Sequence, residues 1–119
     1  MRIALDAMGS DKYPAPDVEG AVLAAQNFGD TIVLVGDKKR SREELAKHQT
    51  TGLDMEVVHA EEVITMDDKP ALVGKNKPGS SMHVGMNLVR DGKAHAFVTA
   101  GNTGAAMTIA TLFTLRRIP

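Results

Sequence analysis

Residues 31–36, Thr-Ile-Val-Leu-Val-Gly, form the stretch that decides the fold of this chain. An unbroken run of apolar and β-branched residues predicts a strand that is buried on both of its faces, and the glycine marks its end. Strands of this kind are typical of parallel sheets that carry helices on both sides. The stretch therefore predicts a layered α/β fold with a mainly parallel sheet.

The sequence before this strand predicts another strand followed by a helix. Residues 2–7 form a short apolar strand, and residues 8–14 form a loop rich in turn-forming residues. A helix is predicted from Pro16 and Asp17, because proline fits the first turn and an acidic side chain is favourable at the positive end of the helix dipole. Apolar residues then recur at three- and four-residue steps until Gly29 ends the helix.

The segment that follows the deciding strand predicts a charged helix and a third strand. The helix is expected over residues 37–49, with Ser41 and Glu44 at the spacing of a capping box. A strand is expected over residues 55–58. Beyond it, the only predicted element before the next helix is a short helical turn at residues 67–70.

The last part of the chain predicts a fourth strand between two helices. Ser80 or Ser81 is expected to cap a helix that ends at Arg90, residues 96–100 form a strand, and a helix follows through Arg117. Strand and helix thus alternate four times, with connections long enough for parallel crossovers. The prediction is an α/β layered sheet.

Composition excludes several classes of function. The chain has 119 residues and no cysteine, which rules out disulfides, thiolate nucleophiles, thiolate zinc sites and iron–sulfur clusters and fits a reduced, cytoplasmic setting. Its formal net charge is −1, with both signs mixed along the sequence, whereas nucleic-acid binding usually needs a basic excess or stripe. No nucleic-acid partner is expected.

No membrane span, metal site or cofactor is predicted either. The uncharged stretch 94–115 is interrupted by the loop 101–104, which leaves too few residues for a helix of the roughly 20 residues that a span needs. The N-terminus meets Asp6 before the apolar region of a signal peptide can form. The four histidines are scattered and show no metal-ligand spacing.

Two loops have the composition of a ligand site. They are residues 6–11 after the first strand and residues 100–104 after the fourth, and in open α/β sheets ligands bind outside the carboxyl ends of strands. Glycines allow close approach of the backbone, and the amides that open a helix receive anions such as phosphate. The alternative is that both loops are ordinary strand-to-helix turns, with Asn102 or Thr103 as a helix cap.

Other polar residues leave the same kind of choice. Asp6 and Asp11 either position a lysine, a metal or a nucleophile, or serve only as turn and helix-start acids. Ser80 and Ser81, after the lysines of the basic loop 75–79, either hold an anionic substrate or cap a helix behind a solvated loop.

Four blocks of sequence, taken together, carry a resemblance to a known family. In chain order they are Ile3-Ala4-Leu5-Asp6-Ala7-Met8-Gly9-Ser10-Asp11, then His59-Ala60 with Val63-Ile64 and Met66-Asp67-Asp68-Lys69-Pro70, then Ser80-Ser81-Met82, and finally Thr99-Ala100-Gly101-Asn102-Thr103-Gly104-Ala105. This pattern strongly resembles the start of the phosphate acyltransferases of bacterial phospholipid synthesis. Those enzymes move a fatty acyl group from acyl carrier protein to inorganic phosphate, giving acyl phosphate.

The resemblance implies a fold and a setting. It covers this whole chain but about the first third of a typical member, so residues 1–119 are expected to be the N-terminal part of a single acyltransferase domain, inactive alone. The implied fold is a three-layer α/β/α domain of the isopropylmalate-dehydrogenase-like kind. The implied partners are acylated carrier protein, inorganic phosphate and a second copy of the enzyme, with peripheral membrane association through the remaining part.

The resemblance also implies a set of site residues and no cofactor or metal. The catalytic residues it implies are Asp6, Asn102 and Thr103. The residues implied for substrate and phosphate binding are Gly9, Ser10, Asp11, Ser80, Ser81, Gly101 and Gly104. Two other functions stay open at this point, namely an anion-binding half-fold without catalysis and a dehydrogenase-like relative.

Overall fold

The computed structural model describes residues 1–10, 13–64, 68–69, 77–101 and 103–110. Strands and helices alternate along these residues as the sequence predicts. The elements are β1 (Arg2–Asp6), α1 (Ala15–Phe28), β2 (Thr31–Gly36), α2 (Lys38–Leu45), β3 (Met55–His59), α3 (Ser81–Arg90), β4 (Ala96–Val98) and α4 (Thr103–Thr108).

The strands form one parallel sheet in the order β3-β2-β1-β4 within the described part of the chain. In β1, Ile3 pairs with Ile32 of β2 on one side and with Ala96 of β4 on the other. All of β2 except its first residue is buried, which confirms the prediction from residues 31–36. Because the strands are parallel, their carboxyl ends share one edge of the sheet.

Helices cover both faces of the sheet, which makes the fold a three-layer α/β/α arrangement. Ile32 and Leu34 of β2 point to the face that packs on α1. Val33 and Val35 point to the opposite face, where α3 packs. Successive side chains of a strand alternate between faces, so a single apolar run supplies both cores. The α/β prediction is confirmed.

The limits of α1 follow the sequence signals, whereas those of α2 correct them. Pro16 lies in the first turn of α1, and Gly29 ends it in the left-handed conformation at φ 70°. The cap of α2 is Asp37, whose carboxylate accepts a hydrogen bond from Arg40 N, so the predicted capping box at Ser41 is wrong. The helix ends at Leu45 because the following residues form tight turns.

Helix α3 begins as predicted and packs closely on β4. The Ser80 hydroxyl caps it by accepting a hydrogen bond from His83 N. Gly85 lies directly against the ring of Phe97, and a methyl group at this position would overlap the ring. The glycine therefore sets how closely α3 approaches the edge strand of the sheet.

Some sequence predictions fall on other parts of the chain. Two of the four residues of the predicted turn at 67–70, namely 67 and 70, and the predicted helix end at Arg117 lie outside the described residues. Helix α4 packs through Ala105 and Ile109 against Met82 and Met86 of α3. Among the residues that are described, no helix is long and apolar enough to cross a membrane.

Candidate functional site

The loops after β1 and β4 meet at the carboxyl edge of the sheet. These two strands are neighbours, and their register places Leu5 beside Val98. The next residues of each strand, Asp6 and Thr99, come together for that reason. The sequence singled out both loops separately, and the sheet order brings them into one site.

A short chain of hydrogen bonds joins the two loops. Asp6 is 2 % exposed, and its Oδ2 atom accepts a hydrogen bond of 2.7 Å from the Thr99 hydroxyl. Thr99 Oγ1 in turn accepts one of 3.0 Å from Gly101 N, and Asp6 Oδ1 accepts one of 2.9 Å from Met8 N. Each strand is thus followed by a turn in which a side chain accepts a hydrogen bond from the backbone amide two residues later, Asp6 from Met8 N and Thr99 from Gly101 N. The side chains of Asp6 and Thr99 also bond to each other.

Gly9 and Gly101 let the two loops approach this closely. A methyl group at Gly9 would lie 3.0 Å from both Asp6 Oδ2 and Thr99 Oγ1 and 3.1 Å from Ala100 N. A methyl group at Gly101 would lie 2.6 Å from Met82 Cε and 3.5 Å from Gly9 Cα. Side chains at these positions would push the loops apart, so the glycines are needed for the geometry of the junction.

The junction offers amide donors to a ligand. Gly9 N and Ala100 N have no hydrogen-bond partner among the residues that the structure describes. Both amides belong to the point where the loops meet, and Ala100 is exposed. Clustered backbone N–H groups of this kind bind anionic oxygens such as those of phosphate.

Ser10 and Asp17 form the outer side of the junction. The Ser10 hydroxyl donates a hydrogen bond of 2.7 Å to Asp17 Oδ2, which holds the first loop against the start of α1. Partial burial raises the pKa of Asp17; the hydrogen bonds from Ser10 oppose this shift, and the negative charge of Asp6 adds to it. Two carboxylates, those of Asp6 and Asp17, therefore lie near the loops, and their negative charge opposes the binding of an anion, so the amide donors must offset it.

Ser80 and Ser81 lie inside the protein at the start of α3. They are 0 % and 2 % exposed, and the Ser80 hydroxyl is engaged as the helix cap. The next residue, Met82, reaches Gly101, so the start of α3 contacts the second loop. The predicted contact of Ser80 and Ser81 with substrate stays a prediction.

The remaining predicted site residues are placed only in part. Asp11 and Asn102 lie outside the described residues, as does Lys75 of the basic loop. The backbones of Thr103 and Gly104 open α4, directly after the second loop. Lys77 Nζ lies 2.7 Å from Asp68 Oδ2 and donates to Val63 O, and its predicted contact with an anionic substrate stays a prediction.

Thr99 is the functional residue that the sequence reasoning missed. The sequence predicts a strand over residues 96–100 that would contain Thr99. In the structure β4 ends at Val98, and Thr99 begins the turn. The available signal was a threonine two residues before a glycine, the spacing at which its hydroxyl can close a turn. Across the described residues, no group of three or more histidine or acidic side chains could hold a metal.

Comparison with known proteins gives the family. The whole chain, residues 1–119, matches the family described as fatty acid synthesis protein. The chain belongs to this family. Members similar to it include proteins named phosphate acyltransferase, which agrees with the resemblance stated from the four sequence blocks.

Three of these relatives define the extent of the match. The Koribacter versatilis protein is 57 % identical over 109 residues, which are 91 % of this chain and 30 % of that protein. The Herpetosiphon aurantiacus protein is 52 % identical and the Geobacter sulfurreducens protein 50 %, each over 99 % of this chain and about a third of its own length. The chain therefore spans about a third of the length of the relatives it matches.

Proposed function

We propose that this chain is the N-terminal part of a single-domain phosphate acyltransferase. The reaction transfers a fatty acyl group from acyl carrier protein to inorganic phosphate, and the acyl phosphate product supplies phospholipid synthesis. The observation that carries the proposal is the junction of the β1 and β4 loops, where Asp6 and Thr99 hold the two glycine loops together. The names of the relatives support the same reaction.

The chemistry needs little more than positioning. A phosphate oxygen attacks the thioester carbonyl carbon, the C–S bond breaks, and the carrier thiolate leaves and takes a proton from water. Phosphate is already nucleophilic at neutral pH, so no serine or cysteine nucleophile is required. The protein must hold phosphate near the carbonyl and stabilise the oxyanion that forms, which fixed donors do well.

The residues of the junction divide this work. Gly9 N and Ala100 N donate to phosphate oxygens, and Gly9 and Gly101 let the two loops pack closely enough to bring these amides together. Asp6 touches no phosphate in this scheme; it is a positioning residue that acts through Thr99 and Met8 N. The proposal therefore gives Asp6 a positioning role in place of the catalytic role that the resemblance implies.

The unplaced residues complete the proposed site. The resemblance implies catalytic roles for Asn102 and Thr103 and a role in phosphate binding for Gly104, and the proposal keeps these roles. The resemblance also implies phosphate binding by Asp11, and Ser10 holds the first loop against Asp17. Ser80 and Ser81 keep the start of α3 beneath the second loop.

The proposal includes the setting of the whole enzyme. It acts as a homodimer in the cytoplasm and associates peripherally with the inner face of the cell membrane. The rest of the enzyme supplies further active-site loops. Neither cofactor nor metal is part of the proposed reaction.

A chimera tests the function while supplying what this chain lacks. The 118 matched residues of this chain replace the corresponding third of the Geobacter sulfurreducens protein, with which they are 50 % identical. We expect phosphate-dependent release of free thiol from acylated carrier protein, followed with a thiol reagent; the transplanted residues contribute no cysteine background. A folded chimera that releases no thiol, beside an active parent, would contradict the proposal.

A matched pair of variants links that activity to the junction. Thr99→Val in the chimera removes the hydrogen bonds to Asp6 and Gly101 N, whereas Thr99→Ser keeps the hydroxyl. We expect the valine variant to lose about tenfold or more in kcat/KM for phosphate, because small misplacements of binding groups are costly. The serine variant should stay close to the parent.

A further inference from the structure

Helix α2 presents an unusual concentration of positive charge. Four of its first five residues are basic, namely Lys38, Lys39, Arg40 and Arg42, and all four side chains are exposed. None of them forms an ion pair with another residue in the described part of the chain. These four residues form the basic face of α2.

The basic face works against the stability of its own helix. Positive side chains are unfavourable at a helix N-terminus, because the exposed amides already place partial positive charge there. Asp37 offsets part of this through its cap, but no acidic residue lies in the first turn. A helix chosen for stability alone would carry acidic residues in these positions, so the face fits an interaction with a negatively charged partner.

The position of the basic face ties it to the proposed phosphate site. Helix α2 starts from the carboxyl end of β2, the edge of the sheet that also carries the β1–β4 junction. The Arg40 guanidinium lies 5.1 Å from the centre of the Tyr13 ring and donates to Tyr13 O at 3.4 Å. Tyr13 belongs to the same loop as Gly9, so the basic face adjoins one of the two loops of the junction.

Charged side chains line the surface beside α2. A cavity of about 560 Å³ is lined by Lys38, Lys39, Arg42, Glu43 and His59, together with the capping Asp37. The outer side of α2 carries no exposed large apolar side chain. Membrane-binding helices combine cations with an apolar face, so this composition favours an acidic protein surface over a lipid surface.

We propose that the basic face of α2 is the docking surface for an acidic face of the acyl carrier protein. This proposal rests on the proposed function, which makes that protein the acyl donor. Docking on α2 places the donor at the sheet edge where its acyl thioester must reach the junction. Opposite charges at such a surface accelerate encounter and fix orientation, and their effect falls with added salt.

The test compares two double charge reversals in this chain. Lys38→Glu with Lys39→Glu reverses two charges of the basic face, and Arg90→Glu with Lys93→Glu reverses two exposed cations at the end of α3. The control cations lie at the opposite edge of the sheet, where Arg2 Nε bonds to Lys93 O at the start of β1. Binding of fluorescently labelled acyl carrier protein is measured by anisotropy at low and high ionic strength.

The expected result separates the two doubles. The α2 double should weaken carrier binding by about tenfold or more at low salt, and the control double should change it about twofold or less. Equal effects of both doubles, or failure of the unmodified chain to bind the carrier, would overturn the proposal. A third outcome would also overturn it. If the α2 double loses binding to phosphatidylglycerol vesicles but binds the carrier as before, the basic face is a lipid-binding surface.

A phosphate titration of the same samples separates this proposal from the proposed function. Phosphate-dependent shifts of the Gly9 and Ala100 amide signals report the junction alone. If these shifts persist while the α2 double binds the carrier as well as the unmodified chain does, the docking proposal fails and the proposed function stands. If the shifts are absent and the α2 double still weakens carrier binding, the docking surface stands and the phosphate site fails.

Discussion

The carboxyl edge of the sheet has two halves that are built in opposite ways. At the ends of β1 and β4, small residues and a buried carboxylate join two loops through short hydrogen bonds. At the ends of β2 and β3, the chain opens into a cavity lined by exposed charged side chains of α2. The first half depends on exact contacts, whereas the second depends on net charge.

This difference predicts which changes each half tolerates. A buried hydrogen-bonded group costs free energy when its partner is removed, because the remaining donor or acceptor is left without water. An exposed charge contributes little to folding and acts over longer distances on a partner. Changes at the junction should therefore alter stability and phosphate binding, and changes on α2 should alter association only.

The largest effect is expected for Thr99→Val. The variant removes the donor to Asp6 Oδ2 and the acceptor of Gly101 N while keeping a similar volume. We expect the free energy of unfolding to fall by about 2–3 kcal/mol, as for a lost hydrogen bond to a charged group. Denaturant unfolding measures this loss, and Thr99→Ser should recover most of it; equal stability of the valine variant and the parent would contradict the role of the junction.

A somewhat smaller loss is expected for Gly85→Ala. The added methyl group overlaps the Phe97 ring and forces α3 away from β4, a packing strain of about 1–3 kcal/mol that the helical preference of alanine offsets in part. The matched control is Gly20→Ala in α1, where nothing lies within 4 Å of the new methyl group. Thermal unfolding should show the first variant destabilised and the second stabilised by up to about 1 kcal/mol; a shift of both in the same direction would argue against the close contact.

The charge reversal on α2 should leave folding almost unchanged. Lys38→Glu with Lys39→Glu replaces exposed cations at the positive end of the helix, so the free energy of unfolding should change by no more than about 0.5 kcal/mol and should increase if it changes at all. Urea unfolding is the measurement. A clear destabilisation would mean that these lysines support the fold, and the contrast between the two halves of the edge would fail.

The smallest effect concerns pH and His83, a buried residue of α3. Burial lowers the pKa of His83, and the positive charge of Arg90 lowers it further. Neutral His83 therefore contributes its full stability above its ordinary pKa of 6.5. As the pH falls from 6.5 through the lowered pKa of the folded state, this stability is lost, because the unfolded chain takes up the proton first. Unfolding measured between pH 7 and about pH 5 should decline less steeply for His83→Gln than for the parent; identical slopes would contradict the shift.

The sequence predicted the elements well where local chemistry decides them. Residues 31–36 identified a doubly buried strand, Gly29 the end of α1, and Ser80 the cap of α3, because each depends on neighbours in sequence. The cap of α2 was misplaced because Ser41, which fitted a capping box, is buried inside the helix. Asp37, one residue before the helix, was the simpler choice.

The site was predicted in its parts but not in its connections. Glycine-rich loops after the first and fourth strands can be read from composition, but their contact depends on β4 lying next to β1. The hydrogen bond between Asp6 and Thr99 joins residues that are 93 positions apart, and no local pattern contains it. The ion pair of Lys77 with Asp68 could not be predicted either, because it depends on how the chain folds between the two residues.

The most direct test of the account is a phosphate titration followed by the amide signals of the chain. The central claim is that the β1–β4 junction binds phosphate and that Thr99 sets its geometry. It predicts saturable shifts centred on Gly9 and Ala100, retained in Thr99→Ser and lost in Thr99→Val. Shifts that are absent from the junction, or that survive unchanged in folded Thr99→Val, would contradict it.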